Sequence, residues 1–320
     1  MAGKKIIVVF GATGAQGGGV VKTFLNDPVL KSDWTVRAVT RDPSKESAKK
    51  LEQQGAEVVS ANLDDKASLL KVLNGATAAF AVTNYWEKVN MESEIQQGKN
   101  VVNAAKNLLI HDIILFTKSH TKPRAVTNGK LPHVYHFDGK AEVEKYAREV
   151  GVPATFFLPG IYMDNITNQM FRFNPEHDTW VMAAPLPETA QIPLFDPANT
   201  GIWVKAIIRK RDQLLGKRVF GATKYSTPTE IVEDFRQTFP EAGKTVSFFQ
   251  LPDEMFRQAA KDAMGVPDWL AQGILENMKV IYEGGYYGFK SLDESLAILE
   301  DKPTQWVDFM KKSPVFEDLK

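Results

Sequence analysis

The sequence predicts an α/β fold: a Rossmann-type doubly wound parallel sheet with a smaller C-terminal α+β region. Three observations favour it. An apolar run at residues 6–10 leads into evenly spaced glycines, strand-like and helix-like segments alternate as far as residue 158, and this alternation loosens from Pro159 onward. Because right-handed crossovers bring the carboxyl ends of parallel strands to one edge, we expect the loops after these strands to converge there.

The first strand ends in three glycines, Gly11, Gly14 and Gly17, which are spaced three residues apart. Gly11 permits a sharp exit from the strand, Gly14 lets backbone N–H groups approach a pyrophosphate, and Gly17 lets the next helix pack closely. The N-terminus of that helix offers a partial positive charge to phosphates. We therefore predict a dinucleotide-binding turn, although an ordinary glycine-rich turn is the alternative. Its candidate binding residues are Gly11, Thr13, Gly14, Ala15, Gln16 and Gly17.

The second strand, residues 34–40, is followed directly by Arg41. An acidic residue at the end of this strand would bind the ribose 2′-hydroxyl of NAD. Arg41 can instead bind a 2′-phosphate through paired hydrogen bonds, and Lys45 adds a second positive charge. These residues predict NADP(H) rather than NAD(H). Two alternatives are that Arg41 simply faces water at the strand end, or that Arg37, inside the strand, binds the phosphate.

The remaining elements follow in order along the chain. Helices are predicted at 44–54, 66–73, 93–109, 137–150, 201–209, 230–239 and 292–300, and strands at 56–60, 78–83, 111–117 and 154–158. We assign residues 1–155 to an NADP(H)-binding Rossmann domain and 156–320 mainly to a substrate or partner region. Segments at about 156–162 and 196–210 are expected to pack back on the Rossmann domain.

Composition excludes several functions. The 320 residues include 39 basic and 39 acidic side chains, so there is no overall basic field for direct binding of nucleic acid or an anionic membrane. The absence of cysteine excludes disulfides and thiolate metal sites, and the five histidines show no familiar metal-ligand spacing, so no metal is expected. With no leader or membrane-spanning run, we expect a cytoplasmic protein, with the nucleus as a further location.

Four segments, at residues 10–18, 82–87, 136–144 and 159–165, resemble the NmrA-like family, an atypical branch of the short-chain dehydrogenase superfamily. The resemblance is particularly close to the redox-sensor proteins of that family and their fungal relatives. The resemblance implies an NADP(H)-binding Rossmann domain. Several members are regulators that respond to the NADPH/NADP ratio and bind a protein partner, such as a transcription factor. Related isoflavone-reductase-like branches are NADPH-dependent reductases.

The candidate catalytic residues are Lys140 and His136. Catalytic short-chain dehydrogenases place a tyrosine four positions before a lysine, but His136 stands at that position here. Tyr135 is offset by about 100° around a helix and does not replace it. His136 either donates a proton near neutral pH or packs as a partly buried imidazole beside the cofactor. Lys140 either binds the nicotinamide ribose or is a solvated helix lysine.

The resemblance implies further cofactor contacts. Those beside the adenine are Asn62, Leu63 and Asp64; those along the ribose and diphosphate are Thr83, Asn84 and Tyr85; and those shaping the pocket opposite the nicotinamide are Pro159, Tyr162 and Asn165, with Phe157 and Gly160. Asp64 and Asp65 alternatively cap the helix that follows them.

Two functions remain open on the sequence. The first is an NADP(H)-binding redox sensor with little turnover, in which segments at about 165–200 and 250–285 contact a protein partner. The second is an NADPH-dependent reductase of a small carbonyl or imine-like substrate, using Lys140 and His136. The displaced tyrosine favours the first. An open pocket lined by Tyr162 and Met163 would favour the second.

Overall fold

The computed structural model describes residues 3–117 and 127–319. The strands are β1 (Lys5–Val9), β2 (Trp34–Thr40), β3 (Glu57–Ser60), β4 (Ala78–Ala81), β5 (Asp112–Phe116), β6 (Ala154–Pro159), β7 (Ile161–Tyr162), β8 (Phe171–Asn174), β9 (Thr179–Ala184), β10 (Ile192–Phe195), β11 (Arg218–Gly221), β12 (Lys224–Ser226) and β13 (Ser247–Gln250). The α-helices are α1 (Ala15–Asn26), α2 (Pro28–Asp33), α3 (Glu46–Gln53), α4 (Lys66–Leu73), α5 (Tyr85–Lys88), α6 (Met91–Asn107), α7 (Tyr135–Val150), α8 (Met163–Asn165), α9 (Thr200–Arg209), α10 (Arg211–Leu214), α11 (Pro228–Thr238), α12 (Asp253–Met264), α13 (Asp268–Val280), α14 (Asp293–Leu296) and α15 (Trp306–Lys312).

The main sheet has seven strands within the described residues, in the order β11-β6-β5-β4-β1-β2-β3. All of its strand pairs are parallel. From β1 the chain winds outward in one direction through β2 and β3, and in the other through β4, β5 and β6. The predicted doubly wound α/β fold is therefore confirmed. The reversal beside β1 is the point at which such sheets open a ligand crevice.

The central strands are apolar on both faces because helices cover both sides of the sheet. Ile7 and Val9 pack into one core with Trp203 of α9, whereas Val8 lies in the opposite core with Phe137 of α7. This two-sided burial is typical of parallel sheets. Within the described residues, no helix is long and apolar enough to cross a bilayer.

Residues beyond 155 contribute directly to the Rossmann unit. Strands β6 and β11 pair with each other in the main sheet, so a cut at residue 155 passes through β6. Helix α9 packs against α1, and a Cβ on Gly201 would lie 2.0 Å from Thr23 Oγ1. The small residue permits this close helix crossing. The segments that return to the Rossmann unit thus extend past 196–210 to include Arg218–Gly221.

The C-terminal region adds two three-stranded sheets, β12-β10-β7 and β13-β9-β8. An aromatic cluster fills the space between these strands and helix α11. Its members are Phe171, Trp180, Phe235, Phe239 and Phe316, with ring centroids 5.1–5.9 Å apart. This aromatic cluster therefore extends the hydrophobic core that covers one face of the main sheet.

The predicted helix at 292–300 is wrong beyond its first turn. Helix α14 covers only Asp293–Leu296, after which Leu299 N–H donates to Leu296 O at 3.1 Å. This bond spans three residues, as in a tighter 3-10 turn. It brings Ile298 into the core on the α9 side of the sheet. Burial of this isoleucine overrides the helical propensity of the segment.

Candidate functional site

A cleft of about 940 Å³ lies along the carboxyl edge of the main sheet, beside the switch point. The predicted site residues that line it are Gly11, Thr13, Gly14, Ala15, Gln16, Gly17, Arg41, Lys45, Asn62, Leu63, Thr83, Asn84, Tyr85, His136, Lys140, Tyr162 and Asn165. They come from the loops after β1 to β4, from α7 and from the segment after β6. The tertiary fold thus brings together residues up to 154 positions apart, from Gly11 to Asn165.

Two predicted cofactor residues, Asp64 and Pro159, lie outside this lining. The Asp64 carboxylate accepts hydrogen bonds from Lys88 Nζ at 2.7 Å and from Gln97, and the bond from Lys88 lowers its pKa. Pro159 ends β6, where its carbonyl accepts a hydrogen bond from Tyr286 at 3.4 Å. The geometry does not support a cofactor contact by either side chain.

The capping alternative is realised one residue later, at Asp65, whose carboxylate accepts a hydrogen bond from Ala67 N at 2.9 Å. An open pocket lined by Tyr162 and Met163 would favour the reductase, but Met163 is fully buried. Phe157 is also fully buried, in the core on the α9 side of the sheet. Of residues 159–165, the cleft is lined by Gly160, Ile161, Tyr162 and Asn165.

The turn after β1 requires its glycines for steric reasons. Gly11 has φ +65°, in the left-handed region, and Gly14 N–H donates to Gly11 O at 2.9 Å. A Cβ on Gly17 would lie 2.2 Å from Gly11 O, closer than any real contact allows. Helix α1 then begins with Gly14 at its N-cap and no side-chain cap. Its first backbone N–H groups have no partner within the helix, and the residues that carry them, Ala15, Gln16 and Gly17, line the cleft.

Gln16 connects the start of α1 to the segment after β6. Its Nε2 donates a hydrogen bond to the hydroxyl of Tyr162, while its Oε1 is buried without a hydrogen-bond partner. Burial raises the pKa of Tyr162 to about 12. This phenol is therefore a weak acid that serves as a hydrogen-bond acceptor.

One end of the cleft, the arginine end, consists of Arg41, Lys45 and Glu87. The Arg41 guanidinium forms an ion pair with Glu87 on helix α5. Arg37 is oriented elsewhere: it donates to Glu57 at 3.0 Å and to the carbonyl of Val72 at 2.7 Å. The geometry therefore favours Arg41 over Arg37 as the cationic group at the end of β2.

The other end, the lysine end, is lined by Thr83, His136, Lys140 and Asn277, and includes the buried Glu94 that contacts Lys140. Lys140 Nζ donates to Glu94 Oε1, which also accepts from Thr83 Oγ1 at 2.8 Å. The Lys140 and Glu94 side chains are only 6% and 1% exposed. Burial lowers the pKa of Lys140, an effect that Glu94 opposes. The alternative of a solvated helix lysine is wrong.

His136 lies in an aromatic setting at this end. Its Nε2 is 3.1 Å from Asn277 Oδ1, and its ring centroid is 5.2 Å from that of Trp86 and 4.9 Å from that of Phe137. The residue is buried. This placement matches the interpretation of His136 as a packed imidazole. It also shows that helix α13, from the C-terminal region, reaches the site through Asn277.

The tyrosines of the site are poor acids. Tyr85, Tyr162 and Tyr286 line the described cleft, and burial raises the pKa of each. Tyr135 lies outside the lining, with its ring centroid 6.0 Å from that of His133. Among the described residues of the cleft, no tyrosine therefore has the lowered pKa that the proton relay of short-chain dehydrogenases needs.

Sequence reasoning missed Glu94, Glu87, Trp86 and Asn277. A signal existed for Glu94, which lies four residues before Gly98 and seven before Val101 on the buried face of α6. An acidic residue on such a face needs a buried partner. Asn277 offered no local signal, since it lies 137 residues after Lys140 in the chain.

A model of the NmrA-like family matches residues 3–310. The chain belongs to the NmrA-like family. FrzB, an NmrA-like family domain-containing oxidoreductase from Cladobotryum sp, is 25% identical to it over 334 residues, covering 97% of this chain and 94% of that protein. An NmrA-like family domain-containing protein of Dictyostelium discoideum is 27% identical over 237 residues, covering 72% and 76% of the two chains.

Solved structures agree with the fold of this NmrA-like protein. NmrA, a negative transcriptional regulator in complex with NADP, superposes with a TM-score of 0.79 at 20% identity, covering 98% of this chain and 96% of that one. The NADPH-dependent quinone oxidoreductase QOR2 of Escherichia coli, complexed with NADPH, gives 0.72 at 23% identity, covering 95% and 97%. The same fold thus occurs in a regulator and in an enzyme.

Proposed function

We propose that this NmrA-like protein binds NADP(H) in the cleft and acts as a redox-sensing regulator through a protein partner. The observation that carries nucleotide binding is the combination, in one cleft, of an uncapped helix N-terminus and a cationic end. Backbone N–H groups of α1 suit a pyrophosphate, and Arg41 with Lys45 suits a 2′-phosphate. The buried, unpaired Gln16 Oε1 also fits a site that a polar ligand completes.

The acid–base properties of the cleft support regulation over catalysis. Bound NADPH supplies a hydride, so a reductase also needs a group that donates a proton to the substrate. The tyrosines of the described lining have raised pKa values, and His136 is packed between aromatic rings with Asn277 at its Nε2. A raised phenol pKa disfavours proton donation near neutral pH, so no tyrosine of the described lining suits that role.

The C-terminal region supports a protein partner. On helix α12 no residue is buried, and Met255 and Met264 are 54% and 56% exposed. Trp269 on α13 is 47% exposed. Because α12 and α13 pack against each other, these exposed apolar side chains support an interaction surface in this part of the molecule. They lie within the 250–285 segment that the sequence suggested for partner contact.

A second candidate, an NADPH-dependent reductase, is favoured by Lys140. Its ammonium is buried at the cleft, and burial lowers its pKa, which makes it a better proton donor than an ordinary lysine. FrzB, which matches nearly the whole chain, is named as an oxidoreductase. The substrate of this alternative is a small carbonyl or imine-like compound.

Titration calorimetry with NADPH, NADP, NADH and NAD tests the shared part of both proposals. NADPH absorbance, followed in the same samples with aldehydes, ketones and quinones, then separates them. Tight binding of NADP(H) without consumption supports the regulator. Substrate-dependent oxidation that Lys140→Ala abolishes in folded protein supports the reductase, and failure to bind any of the four nucleotides refutes both.

A further inference from the structure

We propose that Glu87 determines nucleotide specificity by competing with the 2′-phosphate of NADP(H) for Arg41. A 2′-phosphate then frees Glu87, which belongs to a strap defined as residues 84–88, from Arg41, whereas NAD(H) leaves the ion pair closed. This inference rests on the proposed NADP(H) site. It adds a residue to that site whose effect on affinity is opposite to that of Arg41.

The first observation is the ion pair itself. Arg41 follows β2 and Glu87 lies on α5, 46 residues later, yet both line the arginine end and form an ion pair across it. The guanidinium that suits a 2′-phosphate is therefore already bound to a carboxylate. A phosphate that binds Arg41 must therefore either displace the Glu87 carboxylate or lie beside it, where the two negative charges repel each other.

The other charged groups at this end do not take the place of Glu87. Asp42 lines the cleft, but its carboxylate accepts hydrogen bonds from the backbone and hydroxyl of Ser44, at 2.9 and 2.5 Å. Asp64 is bound to Lys88 at 2.7 Å. Lys45 lines the cleft on the same side as Arg41 and adds attraction for a phosphate. Glu87 is thus the carboxylate that pairs with Arg41 here.

The exposure of the pair makes it exchangeable. The Arg41 and Glu87 side chains are 64% and 38% exposed. Exposed ion pairs contribute little because water screens both charges, whereas a guanidinium binds a phosphate through paired, charge-assisted hydrogen bonds. A 2′-phosphate therefore wins the competition for Arg41. A nucleotide that carries a 2′-hydroxyl offers no such bond and leaves Glu87 in place.

The strap links this competition to the lysine end. Trp86 precedes Glu87, and its ring centroid lies 5.2 Å from that of His136 and 5.4 Å from that of Tyr85. Lys88, on the other side, remains tied to Asp64. Release of Glu87 thus alters the setting of Trp86, whose fluorescence reports the change.

The test compares Glu87→Gln with the matched control Glu92→Gln, an exposed carboxylate on α6 outside the cleft. We expect Glu87→Gln to tighten NADP and NADPH by about fivefold, the scale of one exposed ion pair, with NAD and NADH unchanged. In an Arg41→Ala background the same substitution is expected to have no effect. Calorimetry at low salt measures all of these affinities.

Tryptophan fluorescence gives an independent readout. NADP is expected to change the emission of the wild-type protein, and a much smaller change is expected with NAD at saturation and with NADP in a Trp86→Phe variant. If wild type binds NADP but Glu87→Gln binds it no more tightly, or tightens NAD equally, the competition is refuted while the proposed site stands. If wild type binds none of these nucleotides, the proposed function and this inference fail together.

Discussion

The two ends of the cleft hold their charges in opposite ways. At the arginine end the paired side chains are 64% and 38% exposed, and at the lysine end they are 6% and 1% exposed. Water screens the first pair, so it exchanges easily with a ligand. The second pair cannot be broken without leaving an uncompensated charge in the interior. The exposed Arg41–Glu87 pair is thus suited to exchange with a ligand, whereas the buried Lys140–Glu94 pair holds its side chains in a fixed geometry.

The largest effect is expected from removal of the buried carboxylate at the lysine end. Glu94→Ala leaves the Lys140 ammonium buried without its partner, and we expect the free energy of unfolding to fall by about 3–5 kcal/mol. Urea unfolding at pH 7 measures it. The matched control is Glu92→Ala, an exposed residue on the same helix, which should change stability by less than about 0.5 kcal/mol. Equal losses in both variants would contradict the distinction between the two ends.

At the arginine end the expected effect is on binding rather than on folding. Arg41→Ala should weaken NADP(H) by about 1.5–3 kcal/mol, or roughly 10- to 150-fold, because charge-assisted hydrogen bonds to the phosphate are lost. NAD(H) affinity should be unchanged, and the free energy of unfolding should fall by no more than about 1 kcal/mol, the contribution of one exposed ion pair. Calorimetry with all four nucleotides provides the measurement. Lys49→Ala, which removes an exposed cation of α3 outside the cleft, is the control. Equal weakening of NAD(H) would remove Arg41 from the phosphate site.

Between the two ends, the glycine turn is expected to depend on space rather than charge. Gly17→Ala places a Cβ 2.2 Å from Gly11 O and should destabilise the protein by about 1–3 kcal/mol while distorting the turn. In Gly18→Ala the new Cβ lies 3.4 Å from Ala12 O, an ordinary contact. That variant should be neutral or more stable by up to about 1 kcal/mol, since alanine favours the helix. Thermal unfolding measures the melting temperatures of both variants. Equal melting temperatures would show that the turn relaxes around the new Cβ and would contradict this prediction.

The smallest effect is expected at Tyr162. Tyr162→Phe removes the acceptor of the Gln16 hydrogen bond and should cost about 1 kcal/mol of stability at pH 7. Because burial raises the pKa of Tyr162 from about 10 to about 12, the folded protein keeps the phenolic proton longer than the unfolded chain does. The stability of wild type should therefore fall as pH rises from 10 to 12, relative to the variant. Urea unfolding of both proteins at pH 7, 10 and 11.5 tests this sign. A stability advantage of wild type over the variant that grows as pH rises would refute it.

Most of the fold was predictable because it depends on contiguous patterns. Helix α4 was predicted with its observed bounds, as was β2, and the start of α1 follows from the glycine spacing. Ends of elements were less predictable, as at α14, where the burial of Ile298 cuts the helix short. Such choices depend on neighbours distant in sequence.

The same distinction between local patterns and distant contacts applies to the residues of the candidate site. Gly11, Gly14 and Arg41 were found because each follows a strand whose carboxyl end must reach the same sheet edge. Glu94 was missed although it shares the buried face of α6 with Gly98. Asn277 and Glu87 were missed because their partners, His136 and Arg41, lie 141 and 46 residues away.

By itself the sequence determined the doubly wound fold, the glycine turn and the presence of cations after β2 and on α7, since these follow from local periodicity, spacing and residue type. Only the tertiary structure decided which carboxylate each cation contacts. Glu94 and Glu87 lie seven residues apart in the chain. Glu94 is nevertheless buried against Lys140, whereas Glu87 forms a solvent-exposed ion pair with Arg41. The physical reason is that burial, which sets the strength of an ion pair, depends on the convergence of distant segments at one edge of the sheet.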